Sequence, residues 1–424
     1  MSFMSKIMRP SPKNVSFGES FWKDLIHPSK SGVNVTATTA LQITAVFACL
    51  RVLAEGVAQV PLKLFKANDD GGGTPAKDNS LYNILHRKPN AWQTSFEFRE
   101  NLIFQAGLIG NFYAFKNRLS APRSKLMEII PFEPGACVPH RTIKGDGFYT
   151  VTATDGEEKD FLPEDIWHVR GPSWDTWRGL AAVKLAREAF GLAIATENAH
   201  AKLHANGAQL SGLYSVDGTL GTEQHDNMSE WIKKKTTGAN RFTPFVLDHG
   251  AKWTQIAMSG VDSQHLETRK FQIEEICRPF RIMPIMIGQA DKAATYASAE
   301  QMFLAHVIHT LMPWYERLEQ SMDVNLLTDA ELKQGYYTKF IPNALMRGTA
   351  SSRADYYWKM WQMAGLNSNE IRAMEEMNSY PGGEKFFAPA NMMIADEAQA
   401  AQAMDSLAIW FKNRKDKEHA KTDN

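Results

Sequence analysis

Apolar residues at Leu266, Ile273, Ile276, Cys277 and Phe280 recur at helical spacing, with Glu267, Arg269, Lys270, Glu274 and Glu275 largely on other faces. This pattern predicts a helix from about 261 to 280. Pro279 and Pro284 end it, because proline has no amide donor and turns its predecessor away from the α region. A run of small residues follows. Helical spacing then resumes from Ala297 to about Met322 through Met302, Phe303, Val307, Ile308, Leu311, Tyr315, Leu318 and Met322. Pro313 falls inside that stripe and predicts a kink. Taken alone, the stretch is a helix, a loop and a second helix.

The same reading orders the rest of the chain. Thr38 to Ala58 predicts a helix apolar almost all round, VPLKLFK a strand, and the glycine run at 69–74 a turn. A helix is expected at 94–109, followed by the strand NFYAFKNR. Short strands dominate 125–170, with Phe148–Thr152 and Ile166–Arg170 the clearest. An alanine-rich helix runs from about Gly179 to Asn206, and about fifty residues of mixed strand and helix separate it from the helix at 261. A strand near 336, helices between Ser351 and Met377 and a polar tail complete the chain. Two helices that bracket an insert can run antiparallel and hold it at one end, as a stalk holds a tip.

Composition narrows the classes. The 424 residues suffice for two or three domains. Lysine plus arginine and aspartate plus glutamate number 47 each, so the strongly basic face of a protein built to grip nucleic acid is not expected. Three cysteines (Cys49, Cys137, Cys277), far apart and without a CxxC, read as buried free thiols of a reducing compartment. The leader before the first apolar run is polar, and apolar segments are interrupted well before ~18 residues, so neither an export signal nor a membrane span is expected.

Chemistry-bearing motifs are few. No GxxxxGK[ST], HExxH, GxSxG or paired CxxC occurs. His306 and His309 share a helix face, but two histidines without further ligands read as ordinary side chains, and His168 in IWHVR reads as packed and hydrogen-bonded. Glu274–Glu275 and Glu375–Glu376 are adjacent on helices and diverge, so neither makes an acid–base pair. Catalytic, cofactor and metal sites are therefore all expected to be absent. Lys233, Lys234 and Lys235 in WIKKKTTG could touch phosphate or simply form a solvated helix end.

One ordered set of segments is more specific than any of these. GVNVTATTALQITAVFACLRVLAEGVAQVPLKLF, RKPNAWQT, GLIGNFYAF, PEDIWHVRGPS, NGAQLSGLY, EEICRPFRIMPIMIG and GLNSNEIRAMEEMN…PGGEKFFAPAN occur in this order. Together, over about 32–393, they resemble the portal (head–tail connector) proteins of tailed bacteriophages. The resemblance implies an α+β subunit with an α/β wing, a helical stem, a small α/β clip, a long kinked helix and a helical crown. Residues 1–34, polar and without sustained periodicity, read as a flexible N-terminal arm; the resemblance implies the first part of the wing at 35–178, stem helices at 179–206 and 261–282, and a clip at 207–260. A tunnel loop at 283–297, the rest of the wing at 298–350, a crown at 351–393 and a C-terminal helix and polar tail at 394–424 would follow.

The resemblance also implies a homo-oligomeric ring, typically a dodecamer, around a channel for double-stranded DNA, with the tunnel loop nearest the DNA. Gly288, Gln289, Asp291, Lys292 and Thr295 would line that loop, and Lys233 to Lys235 become candidate clip contacts. The implied partners are the terminase large subunit, a head-completion or adaptor protein and the major capsid protein. The implied location is the capsid portal vertex of the virion, after assembly in the host cytoplasm. Small polar residues with a single charge pair suit a sliding contact, since every neutralised phosphate adds affinity around a ring. The alternatives are a monomeric DNA-binding adaptor, which would need a basic face, and an unrecognised hydrolase, which would need a nucleophile–base pair or clustered carboxylates.

Overall fold

The computed structural model describes residues 27–69, 71–119, 125–142, 146–205, 212–215, 221–236, 252–255, 261–289, 296–342, 350–375, 377–387 and 409–410. It divides into two units, Met1–Pro342 and Asn343–Asn424.

The first unit opens with a short antiparallel pair, β1 (His27–Pro28) and β2 (Asn34–Val35). Ser29 between them is buried, and the Lys30 N–H donates to Glu188 at 2.9 Å. The arm expected to be flexible through residue 34 is thus ordered from 27 onward, because Gly191 lacks a side chain where the Ser29 hydroxyl sits. Residues 1–26 lie outside the described ones. The helix expected at 38–58 is two, α1 (Ala37–Gln42) and α2 (Thr44–Ala58), parted by the extended backbone of Ile43. Thr36 and Thr39 cap α1 reciprocally, which satisfies its first amides.

Three three-stranded sheets follow, all antiparallel. β3 (Leu62–Ala67) lies between β4 (Gly73–Pro75) and β13 (Tyr336–Phe340), with Leu64 opposite Thr338. After α3 (Ser80–His86) and α4 (Ser95–Ile109), β5 (Asn111–Arg118) lies between β6 (Leu126–Pro131) and β10 (Ile166–Arg170). β7 (Cys137–Arg141), β8 (Gly147–Thr152) and β9 (Glu158–Phe161) make the third. α4 begins with the box Thr94…Glu97 and stops at Gly110, whose φ of 80° is the left-handed cap that glycine allows at least cost. Phe98, Leu102, Ile129, Trp167 and Phe340 from these elements surround one small void and make the core. The Phe112 ring meets Phe98 and Trp167 edge-on.

The helix expected at 179–206 is α5 (Ala182–Leu185) and α6 (Arg187–Ala205), interrupted at Ala186. Beyond it, β11 (Gly212–Ser215) pairs with β12 (Lys252–Gln255), and α7 (Thr222–Thr236) lies between them in sequence. α8 (Val261–Cys277) then packs on α6: Gln272 donates to the Thr196 hydroxyl at 3.1 Å, and Phe190 stacks on Phe280.

In the second unit, α11 (Ala350–Gln362) and α12 (Ser368–Met374) stand where helices were expected. Tyr357 donates to Glu375 at 2.7 Å and Arg353 pairs with the same carboxylate at 3.1 Å. Of the tail expected at 394–424, only residues 409–410 are described.

Candidate functional site

The chain leaves α8 through a one-turn 3-10 helix, Arg278–Phe280, as Pro279 dictates. Arg281 then takes a left-handed backbone at φ 55°, uncommon for a residue with a side chain. Two contacts hold it there: Thr310 donates to the Arg281 carbonyl at 2.7 Å, and the Ile282 N–H returns to Cys277 at 3.2 Å. Ile282 is buried, so the chain is pinned before it turns outward.

A second 3-10 turn, Pro284–Ile287, ends at Gly288 with φ 88°. Among the described residues nothing lies within 4 Å of the position where a Gly288 Cβ would stand, so the glycine answers the positive φ of the turn. The Gln289 N–H closes onto Pro284 at 3.1 Å, and its buried Oε1 has no partner within the described protein. Asp291, Lys292 and Thr295 lie outside the described residues. Lys233 to Lys235 fall in the last turn of α7, and their side chains also lie outside them. Of the expected loop residues, the structure therefore brings together Gly288 and Gln289.

The chain resumes in α9 (Tyr296–His306), passes through a π turn, Val307–Leu311, and continues as α10 (Met312–Leu326). Pro313 supplies no amide to the preceding turn, and the wider register before it absorbs the loss. Where a kink was expected at Pro313, the structure has this π turn just before the proline. Thr310, which fixes Arg281, sits within it. Tyr315 one turn on donates to the Gly56 carbonyl of α2 at 2.8 Å. Between α5, the Arg278–Phe280 turn and the start of α10 lies a cavity of about 570 Å³, its wall formed in part by Leu180, Leu185, Phe280 and Trp314 with Arg317 at its edge.

Among the described residues no group of three or more His, Cys, Asp or Glu could hold a metal ion. Burial lowers the pKa of His306 at the entry to the π turn, and its buried Nδ1 has no partner among the described residues. Lys116, buried in β5, is pushed down to about 8 by desolvation and donates to the Pro163 and Asn325 carbonyls at 3.3 and 3.5 Å, so it serves as a strut. Among the described residues no helix is long and apolar enough to cross a membrane.

Comparison with known proteins decides the family. The family model described as "Phage portal protein" matches residues 44–376. The chain belongs to the phage portal protein family. A probable portal protein of Streptomyces phage phiC31 is 30% identical over 380 residues, spanning 85% of this chain and 81% of that protein. The portal protein of Enterobacteria phage HK97 is 27% identical over 347 residues, 81% of each chain. A solved structure of the neck of a native gene transfer agent particle, computed with C12 symmetry, superposes with a TM-score of 0.51 at 23% identity. It covers 80% of this chain and 93% of that one. The mixed helix-and-sheet fold is that of portal proteins.

Sequence reasoning missed the supports of the site. The π turn holding Arg281 could have been sought at Pro313. The meeting of Cys49 with Cys277 at 3.6 Å had no signal, since 228 residues separate them.

Proposed function

We propose that this portal protein assembles into a ring of subunits at one vertex of a capsid, and that double-stranded DNA enters and leaves through its channel. On this reading a terminase docks during filling, and a head-completion or adaptor protein replaces it. The observation that carries the reading is the portal family match over most of the chain, supported by the fold shared with the neck of a twelvefold particle.

Three features of the chain support it further. Phe303, Leu304, Ile308 and Met312 along α9 and α10 are exposed, an apolar surface that a lone subunit leaves wet and a ring of subunits can cover. The contact of α6 with α8 beside the β11–β12 pair fits a stem carrying a clip at 207–260. The turns that lead away from Ile282 through Gly288 fit a tunnel loop at 283–297, with Lys292 as its cation toward DNA phosphate. The crown would then begin near 351, and the terminase surface would lie on the clip. Imaging of the purified protein tests the ring, and substitutions in the loop test the channel.

A further inference from the structure

Two nucleophilic groups have no part in the reading above. Cys49 lies in the second turn of α2, and Cys277 is the last residue of α8. Both side chains are buried, and their sulfurs are 3.6 Å apart. The contact stands where α8 ends and the chain turns toward Arg281, so it joins the base of the candidate loop to the core of the first unit.

We propose that Cys49 and Cys277 form a disulfide on exposure to a hydroperoxide, tethering the end of α8 to α2. A disulfide needs its sulfurs at about 2.05 Å, so this pair must close by about 1.5 Å, within reach of side-chain rotation and a small helix shift. Either sulfur can donate across this contact; with Cys277 as the thiolate the Cys49 thiol is the donor, which lowers the pKa of Cys277, while that bond and burial raise Cys49. Cys277 is therefore the sulfur that reacts first. Its thiolate attacks one oxygen of hydrogen peroxide. An S–O bond forms, the O–O bond breaks, and the departing hydroxide takes a proton as water. Cys49 then gives up its proton and attacks the Cys277 sulfenic acid. The S–S bond forms, the S–O bond breaks, and hydroxide leaves as a second water. Two thiols are oxidised and one peroxide is reduced to two waters.

Burial restricts access to small oxidants and keeps bulkier disulfides such as glutathione disulfide out. Cys137, buried alone in β7 with its thiol pushed up by burial, is the internal control. The chemistry belongs to the single chain and does not depend on ring formation.

The test treats the full-length protein with a small excess of hydrogen peroxide, unfolds it, alkylates it with N-ethylmaleimide and measures intact mass and linked peptides. The expected product has one alkylated cysteine instead of three, a loss of ~2 Da before alkylation, and a peptide joining Cys49 to Cys277. Dithiothreitol should restore all three thiols. In Cys49→Ser, peroxide should leave Cys277 as a sulfenic or sulfinic acid. Three alkylated thiols in the treated wild-type protein, a link through Cys137, or Cys277 oxidised to sulfinic acid beside a free Cys49 would each overturn the proposal.

Discussion

The backbone N–H of Gly179 donates to Asn111 Oδ1 across 2.8 Å, and this one bond sets the protonation of a histidine that Gly179 does not touch. A backbone amide only donates, so the amide atom of Asn111 facing it must be oxygen. That oxygen also lies 3.0 Å from His168 Nε2, which must therefore carry a proton. His168 Nδ1 is left to accept from the Tyr149 hydroxyl at 3.2 Å. The histidine is neutral, with both nitrogens satisfied. The junction joins β5, β8 and β10 to the segment that leads into α5.

Gly179 should tolerate no side chain. A Cβ there would overlap the Gly110 carbonyl oxygen, and both groups are backbone, so neither can rotate away. Gly179→Ala is expected to cost roughly 3 kcal/mol, read as a lower urea midpoint at unchanged slope. An unchanged midpoint would show that the junction yields more easily than its packing implies.

His168 should make stability fall with acid. Burial, aided by Arg170 and Arg178, lowers its pKa to about 3 from the usual 6.5. Its contribution is therefore fully present above about pH 6.5 and is lost as pH falls toward 3, because the unfolded chain takes up a proton that the folded one refuses. The slope is ~1.4 kcal/mol per pH unit across that window. His168→Gln keeps a donor and an acceptor but does not titrate. The wild-type curve should drop below the variant's between pH 6 and 4, and parallel curves would remove His168 from the acid sensitivity.

Glu319 joins α10 to β13. Its buried carboxylate accepts the Phe340 N–H at 2.7 Å and the Lys339 ammonium at 2.9 Å. Burial raises its pKa although both partners pull it down, while the pairing raises Lys339. Glu319→Gln keeps an acceptor for the buried amide and should cost about 1 kcal/mol, whereas Glu319→Ala orphans that amide and should cost roughly 3 kcal/mol. Equal losses in thermal or denaturant unfolding would mean that the amide finds another partner.

These residues also mark where the sequence stops being readable. Long apolar periodicities were legible, because a stripe on α8 or α10 is local information. So was the turn out of α8, since proline acts on its own neighbours. The break at Ile43 was not, because α1 and α2 are each helical in pattern and only the extended backbone of Ile43 shows the chain bending between them. The Asn111 junction needs a partner 68 residues away, and the order of residues 27–35 needs the bare surface of Gly191. No window of sequence contains both halves. The loop residues were named from family resemblance, and of them the structure describes only Gly288 and Gln289.

Lys292→Ala should leave rings and capsids intact and change packaging rate or final genome length only modestly. On the proposed ring, one lysine per subunit would make a belt whose field is screened within about 8 Å at physiological salt, enough to steady DNA without trapping it. Tryptophan at Ala293 and Ala294 should do more harm by narrowing the bore. Packaged DNA length in particles carrying each variant is the readout. A strong defect from Lys292→Ala beside a silent double tryptophan would reverse the assignment.

Electron microscopy of the purified full-length protein tests the ring most directly. Closed rings with a central hole wide enough for duplex DNA, their class averages showing twelvefold or nearby symmetry, are the expected images. Compact monomers that stay monomeric across concentration and salt, with no ring in capsid-associated fractions, would contradict the conduit.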